Sequence, residues 1–145
     1  MSIFSRFALL LLAALIFAMP VGAADPAPAY NYISAADLEA RLNDGLPTNL
    51  VDIQVEGEFV RHHIIGAIAT HAYPVKSDAD RAKIDAIIGR LQSNNDPIVV
   101  VCPRGAGGAT RTYDYLLERG IASERLLILA KGQEGWSCIP LTEGQ

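Results

Sequence analysis

In Pro97-Ile98-Val99-Val100-Val101-Cys102-Pro103-Arg104-Gly105-Ala106-Gly107-Gly108, apolar β-branched residues run straight into a cysteine and a glycine-rich turn. A run without polar alternation has the composition of a strand buried on both faces, as in the middle of a parallel sheet. Pro97 introduces it, and the turn that follows leads into a helix predicted over Ala109–Arg119 and closed by Gly120. Open α/β sheets gather their ligands at the carboxyl ends of the strands, which is where Cys102 stands. Successive N–H groups of such a turn, beside the positive end of a helix, form a cradle for anions. That cradle also stabilises a thiolate or a persulfide, since thiol pKa values fall to about 3.5–7.5 at helix N-termini and near cations. On these residues alone two readings stand side by side: a reactive thiol, or an inert buried cysteine in a turn.

On either side of this stretch, strand-like and helix-like patterns alternate. Asp78–Leu91 carries Ile84, Ile87, Ile88 and Leu91 at helical spacing, and Asn49–Ile53 reads as a buried strand. Ala67–Ala69 fits a shorter strand. Ser34 caps a helix over Ala35–Leu42, which Asn43-Asp44-Gly45 stops, and Leu126–Leu129 supplies a further strand. This alternation predicts an α/β domain with a mostly parallel central sheet flanked by helices on both faces.

The 145-residue length leaves room for one such domain. Arg6 followed by an apolar run of about 13 residues, Phe7–Met19, has the form of an export signal and falls short of the roughly 20 residues that span a bilayer. Pro20 breaks the run. Val21-Gly22-Ala23, or the neighbouring Gly22-Ala23-Ala24, offers the small residues of a cleavage site. The expected organisation is a signal peptide over 1–23, a Pro/Ala linker over 24–29 and the folded domain over 30–145. The mature protein is then periplasmic or secreted, with no stable membrane association after cleavage. A retained anchor is the alternative, and the signal holds no cysteine to carry a lipid. A net charge of −4 and a pI near 5.3 lack the basic excess that draws nucleic acid, so nucleic acid is not an expected partner. No repeat of solenoid or propeller period runs along the chain.

The order of short motifs adds a family likeness. Asp52, then Glu58-Phe59, then His63-Ile64 with Gly66-Ala67, and finally Cys102 with Gly105 follow one another as in the rhodanese homology domain, which Leu50–Gln145 resembles. Tyr32-Ile33-Ser34 with Leu38 and Leu42 is similar to the family's opening strand and helix. The small exported single-domain members are the nearest likeness. The resemblance implies a sulfurtransferase in which Cys102 is the catalytic nucleophile and carries a persulfide. It also implies that Pro103, Arg104, Gly105, Ala106, Gly107 and Gly108 form the substrate-binding loop. The donor is then a small anion such as thiosulfate, the acceptor a thiol or cyanide, and no cofactor is required.

Five departures bear on activity. Gln54 stands where the family has arginine, His62 where it has glycine, and Lys131 replaces the first glycine of the pair upstream of Trp136. Gly107 holds the position of the loop arginine, and one extra residue lies between Cys102 and Gly120. Anion binding then rests on backbone N–H groups with Arg104 or Arg111. Arg104 either projects toward the entrance or is a solvated surface charge, and Arg111 reads as solvated. Supporting roles fall to Asp52, which accepts local hydrogen bonds and holds the loop geometry, and to His63, which fixes a turn. Trp136 reads as core. His62, His63, His71 and the two cysteines lack zinc-ligand spacing, so no metal is expected. Cys138 has no family counterpart, and its segment is expected to lie too far from Cys102 for a disulfide. Two rivals remain: a binding module that keeps the fold without turnover, and a phosphatase or arsenate reductase. The Cys-x5-Arg arrangement of phosphatases requires arginine at 108, which is Gly108.

Overall fold

A computed structural model describes residues 29–144. The expected signal peptide and all but the last residue of the expected linker lie outside them.

The chain runs β1 (Tyr32–Ile33), α1 (Ala35–Asn43), β2 (Asn49–Asp52), α2 (Glu56–Arg61), β3 (His63–Ile64), β4 (Ile68–Ala69), α3 (Asp78–Gln92), β5 (Ile98–Val101), α4 (Gly107–Glu118), β6 (Leu126–Leu129) and β7 (Thr142–Glu143), with short 3-10 turns after α4 and β6. Five strands form one parallel sheet in the order β1-β6-β5-β2-β4. This is the mostly parallel α/β architecture that the alternating patterns predict. β3 and β7 pair antiparallel in a separate two-stranded ribbon.

β5 lies at the centre because all four of its residues are apolar and fully buried between β2 and β6. Its side chains alternate between two cores. Ile98 and Val100 meet Ile84, Ile88 and Leu91 of α3 and Ala109, Tyr113 and Leu116 of α4. Val99 and Val101 meet Leu38 of α1, Leu129 and Trp136 on the other face. Helices therefore cover both faces, and the β-branched strand has no solvated side to specify.

Local sequence sets the helix boundaries. The Ser77 side chain accepts from the Asp80 N–H at 3.1 Å while the Asp80 carboxylate accepts from Ser77 N–H at 3.2 Å, a capping box that starts α3. Ser34 caps α1 through its side chain alone, which accepts from the Asp37 N–H at 3.0 Å. α4 begins at Gly107, two residues ahead of the sequence expectation. Gly107 and Gly108 thus belong to its first turn and not to the loop. α2 was not expected, because its six residues bury no side chain fully and leave no periodic signal.

Candidate active site

β5 is held on both sides by parallel ladders, so the point at which the backbone leaves the sheet is fixed, and that point is Cys102. The Cys102 side chain is 1% exposed and packs with the α3–α4 core. The Gly105 N–H donates to Cys102 Sγ at 3.0 Å. Gly105 has φ +66°, and a Cβ there would lie 2.7 Å from Lys131 N and 2.8 Å from Leu129 O, so the turn that aims its N–H at the sulfur requires glycine.

The loop is clamped from behind by the turn after β6. Gln133 N–H donates to Cys102 O at 2.8 Å and Glu134 N–H to Pro103 O at 3.0 Å. Gly132 makes this approach possible. At φ +58° and ψ −155°, a Cβ on it would fall onto Cys102 O and within 2.5 Å of Gly105 N. Gly132 figures in the sequence only as the remaining glycine of the pair upstream of Trp136, and Gln133 not at all, because the loop they clamp lies far away in the chain.

Ahead of the thiol, α4 has no side-chain cap and no acidic residue in its first turn, so its leading N–H groups stay open to an anion. Gly107 is not at positive φ; a Cβ there would meet Arg111 Nη1 at 2.9 Å. The Arg111 guanidinium therefore lies over the start of α4. It is half-buried and donates through Nε to Pro74 O at 2.9 Å, which corrects the expectation of a solvated side chain. Arg104 is exposed and pairs with Glu134 at 3.2 Å, the surface-charge reading of that residue. The Tyr73 hydroxyl, first, and Glu134, second, stabilise its charged form. Pro103 is buried, Ala106 is exposed, and the buried Gly108 leaves room for the Tyr73 ring, whose Cδ2 a Cβ there would meet at 2.9 Å. Tyr73 thus forms a wall of the loop that sequence patterning had not flagged.

Asp52 and His63 organise neighbouring turns, and none of their hydrogen bonds reaches Cys102. The fully buried Asp52 carboxylate accepts from Gln54 N–H at 2.8 Å and Gln54 Nε2 at 3.0 Å. Burial raises its pKa to about 6, against the lowering effect of those bonds. Gln54 Nε2 also reaches His62 O at 3.1 Å, so the amide at this departure from the family pattern ties two turns together. His63 Nδ1 is 2.7 Å from Phe59 O, its ring stacks on Phe59 at 3.9 Å, and Nε2 is 3.3 Å from Glu143. Lys131 takes φ +64°, a left-handed conformation that glycine adopts without strain. Cys102 and Cys138 are both buried free thiols in different cores. Burial, then Glu39, push the Cys138 thiol up in pKa.

On the α1 side of the loop lies a cleft of about 450 Å³, bounded by Glu58, Arg61 and His62 of the α2 region and by Pro103, Gln133 and Trp136.

A buried thiol that accepts a backbone N–H at the carboxyl end of a central parallel strand, before an uncapped helix, defines a cysteine-centred α/β domain. A rhodanese-like domain model matches residues 34–138, and the chain belongs to that family. Among solved structures, the rhodanese-like domain of an Anabaena protein is 21% identical over 81% of each chain, with a TM-score of 0.57. A yeast protein tyrosine phosphatase of the rhodanese family is 17% identical, over 74% of this chain and 83% of that one, with a TM-score of 0.59. A thiosulfate sulfurtransferase from Pseudomonas aeruginosa is 18% identical over 79% of this chain and 20% of that chain, with a TM-score of 0.58. These likenesses bear out the fold. No curated protein matches the chain.

Proposed function

We propose that the protein is a thiosulfate sulfurtransferase-like enzyme that moves a sulfane sulfur through a persulfide on Cys102. The observation that carries this reading is the Gly105 N–H at 3.0 Å from Cys102 Sγ, in a loop that opens onto the uncapped start of α4. In the first half-reaction the Cys102 thiolate attacks the outer sulfur of thiosulfate. An S–S bond forms, the original S–S bond breaks, and sulfite leaves with the electron pair. In the second, cyanide or a thiolate attacks the outer sulfur of the persulfide and the Cys102 thiolate is regenerated. Both are nucleophilic covalent steps. The Gly105 N–H and the leading N–H groups of α4 supply fixed donors for the anionic persulfide, as an oxyanion hole does for developing charge. Arg111 takes the part of the missing loop arginine, holding the donor's anionic group over the start of α4. The chemistry belongs in the periplasm or outside the cell, in keeping with the export-like segment at 1–23.

The test pairs wild type with Cys102→Ser in a thiosulfate–cyanide assay, beside a chromogenic phosphate ester. Wild type should turn over thiosulfate and gain one sulfur on Cys102 by intact mass. The Ser variant should keep its circular dichroism and lose transfer, because little core volume changes. Cys102-dependent hydrolysis of the ester without sulfur transfer would establish the phosphatase reading instead, and neither activity would leave a binding module.

A further inference from the structure

The cleft on the α1 side of the loop holds two polar atoms that the proposed sulfur chemistry does not use. Gln133 is 3% exposed, and its Nε2 meets His62 Nδ1 at 2.8 Å, while its Oε1 is buried without a hydrogen-bond partner among the described residues. Glu58 Oε2 is buried in the same condition. Both residues line the cleft. A buried acceptor left unpaired is costly, more so when it is charged, so two in one cleft call for a donor. Among the described residues no charged donor reaches either atom. Gln54 stands where the family pattern has arginine, and its amide is already committed to the Asp52 carboxylate and His62 O. Arg61 borders the same cleft, is exposed, and makes no ion pair among the described residues.

An acidic acceptor and an amide acceptor beside an uncommitted guanidinium complement a ligand that carries both charges. We propose that this cleft is a binding site for a small zwitterion of the α-amino-acid class. The ligand's ammonium donates to Glu58 and Gln133, and its carboxylate accepts from Arg61. About 450 Å³ lies toward the smaller end of known ligand pockets and holds a molecule of that size. The site is distinct from the sulfur cradle: Cys102 packs with the opposite core, and only Pro103 of the loop borders the cleft. A link between them exists through Gln133, whose N–H holds Cys102 O.

Binding is tested by nuclear magnetic resonance titration of the Cys102→Ser protein, so the outcome does not depend on sulfur transfer. The probes are L-alanine, ethylammonium, propionate and Nα-acetyl-lysine amide. L-alanine should shift the Gln133 side-chain amide and the Glu58–His62 backbone signals saturably, and the single-charge probes should bind at least about tenfold more weakly, because each loses one charge-assisted contact. Glu58→Gln, which keeps the side-chain volume, and Arg61→Gln should each weaken L-alanine by about tenfold on the same grounds. Gln133→Met provides an independent variant should Glu58→Gln fail to fold. The proposal is overturned if L-alanine produces no saturable shift or if the variants bind it unchanged. Ethylammonium or the acetyl-lysine amide binding as tightly as L-alanine would also overturn it, the latter in favour of a lysine side chain from a protein partner.

Discussion

Gly132→Ala tests whether the clamp behind the cysteine loop sets its shape. Gly132 sits at φ +58° and ψ −155°, a region open to little but glycine, where another residue costs about 1–3 kcal/mol. Its Cβ would also fall onto Cys102 O, 2.5 Å from Gly105 N and 2.7 Å from Arg104 N. All three are backbone atoms, so none can swing aside as a side-chain tip would. Overpacking of this kind costs about another 1–3 kcal/mol, giving roughly 2–6 kcal/mol in total. Typical domains have about 5–15 kcal/mol of stability, so most of the protein should still fold at low temperature. The relief available is to push Cys102 and Gly105 away from the β6 turn, stretching the Gln133 and Glu134 bonds and turning the Gly105 N–H off the sulfur. Loss of a positioned donor in comparable sites costs about 10²–10³ in rate, and a decrease of that order is expected in single-turnover persulfide formation followed by mass. Gly107→Ala is the control. It controls for stability and for the rate of persulfide formation at saturating donor, since its Cβ meets only a side chain, the Arg111 guanidinium, and no loop backbone, and alanine in place of glycine favours a helix by up to about 1 kcal/mol. A Gly132→Ala protein within about threefold of wild type in rate and about 1 kcal/mol in stability would refute this account of the clamp.

Three further outcomes are expected. For Asp52, the folded pKa near 6 against about 3.9 unfolded means its protonated form adds up to about 3 kcal/mol below pH 4, and this is lost as pH rises through 6. Asp52→Asn should therefore gain on wild type between pH 4.5 and 7.5 in urea titrations; a difference that is the same at both pH values contradicts the assigned burial. Arg111→Gln should raise the KM for thiosulfate by about threefold to tenfold, with kcat less affected and the effect shrinking in high salt. A KM unchanged at low ionic strength removes Arg111 from the site. Leu38→Ala should cost about 2–5 kcal/mol in denaturant unfolding, because Leu38 is the only fully buried side chain of α1; a loss below about 1 kcal/mol shows that α1 is held by other contacts.

The central sheet was readable because Ile98–Val101 and Leu126–Leu129 declare themselves by composition, and α3 because its isoleucines recur with helical period. Cys102 was readable because it is local to such a strand. The elements that escaped are short or non-local. α2 buries nothing fully, and β3 and β7 have two residues each, too few for a period. Gly107 and Gly108 looked like loop because glycine is a poor helix former, yet close packing against Tyr73 and Arg111 outweighs that preference. The sequence placed Asp52 and His63 by motif order, but not their partners. Gly132, Gln133 and Tyr73 take their importance from contacts with a distant loop, and one-dimensional patterning carries no record of such contacts.

The bonds from Gln133 and Glu134 to Cys102 and Pro103 also bear on the order of assembly. A nascent chain that has completed β5 and α4 holds the cysteine and all of its own loop, but not the turn after β6 that seals it. Closing that contact needs β6 to dock along β5, a step whose entropy is repaid only once the parallel ladder forms. Recovery of a properly shaped cradle during refolding should thus lag helix formation and coincide with the docking of β6 along β5. The reactive cysteine consequently stays outside its finished setting until the domain is nearly whole, so competence at this loop reports the completed fold.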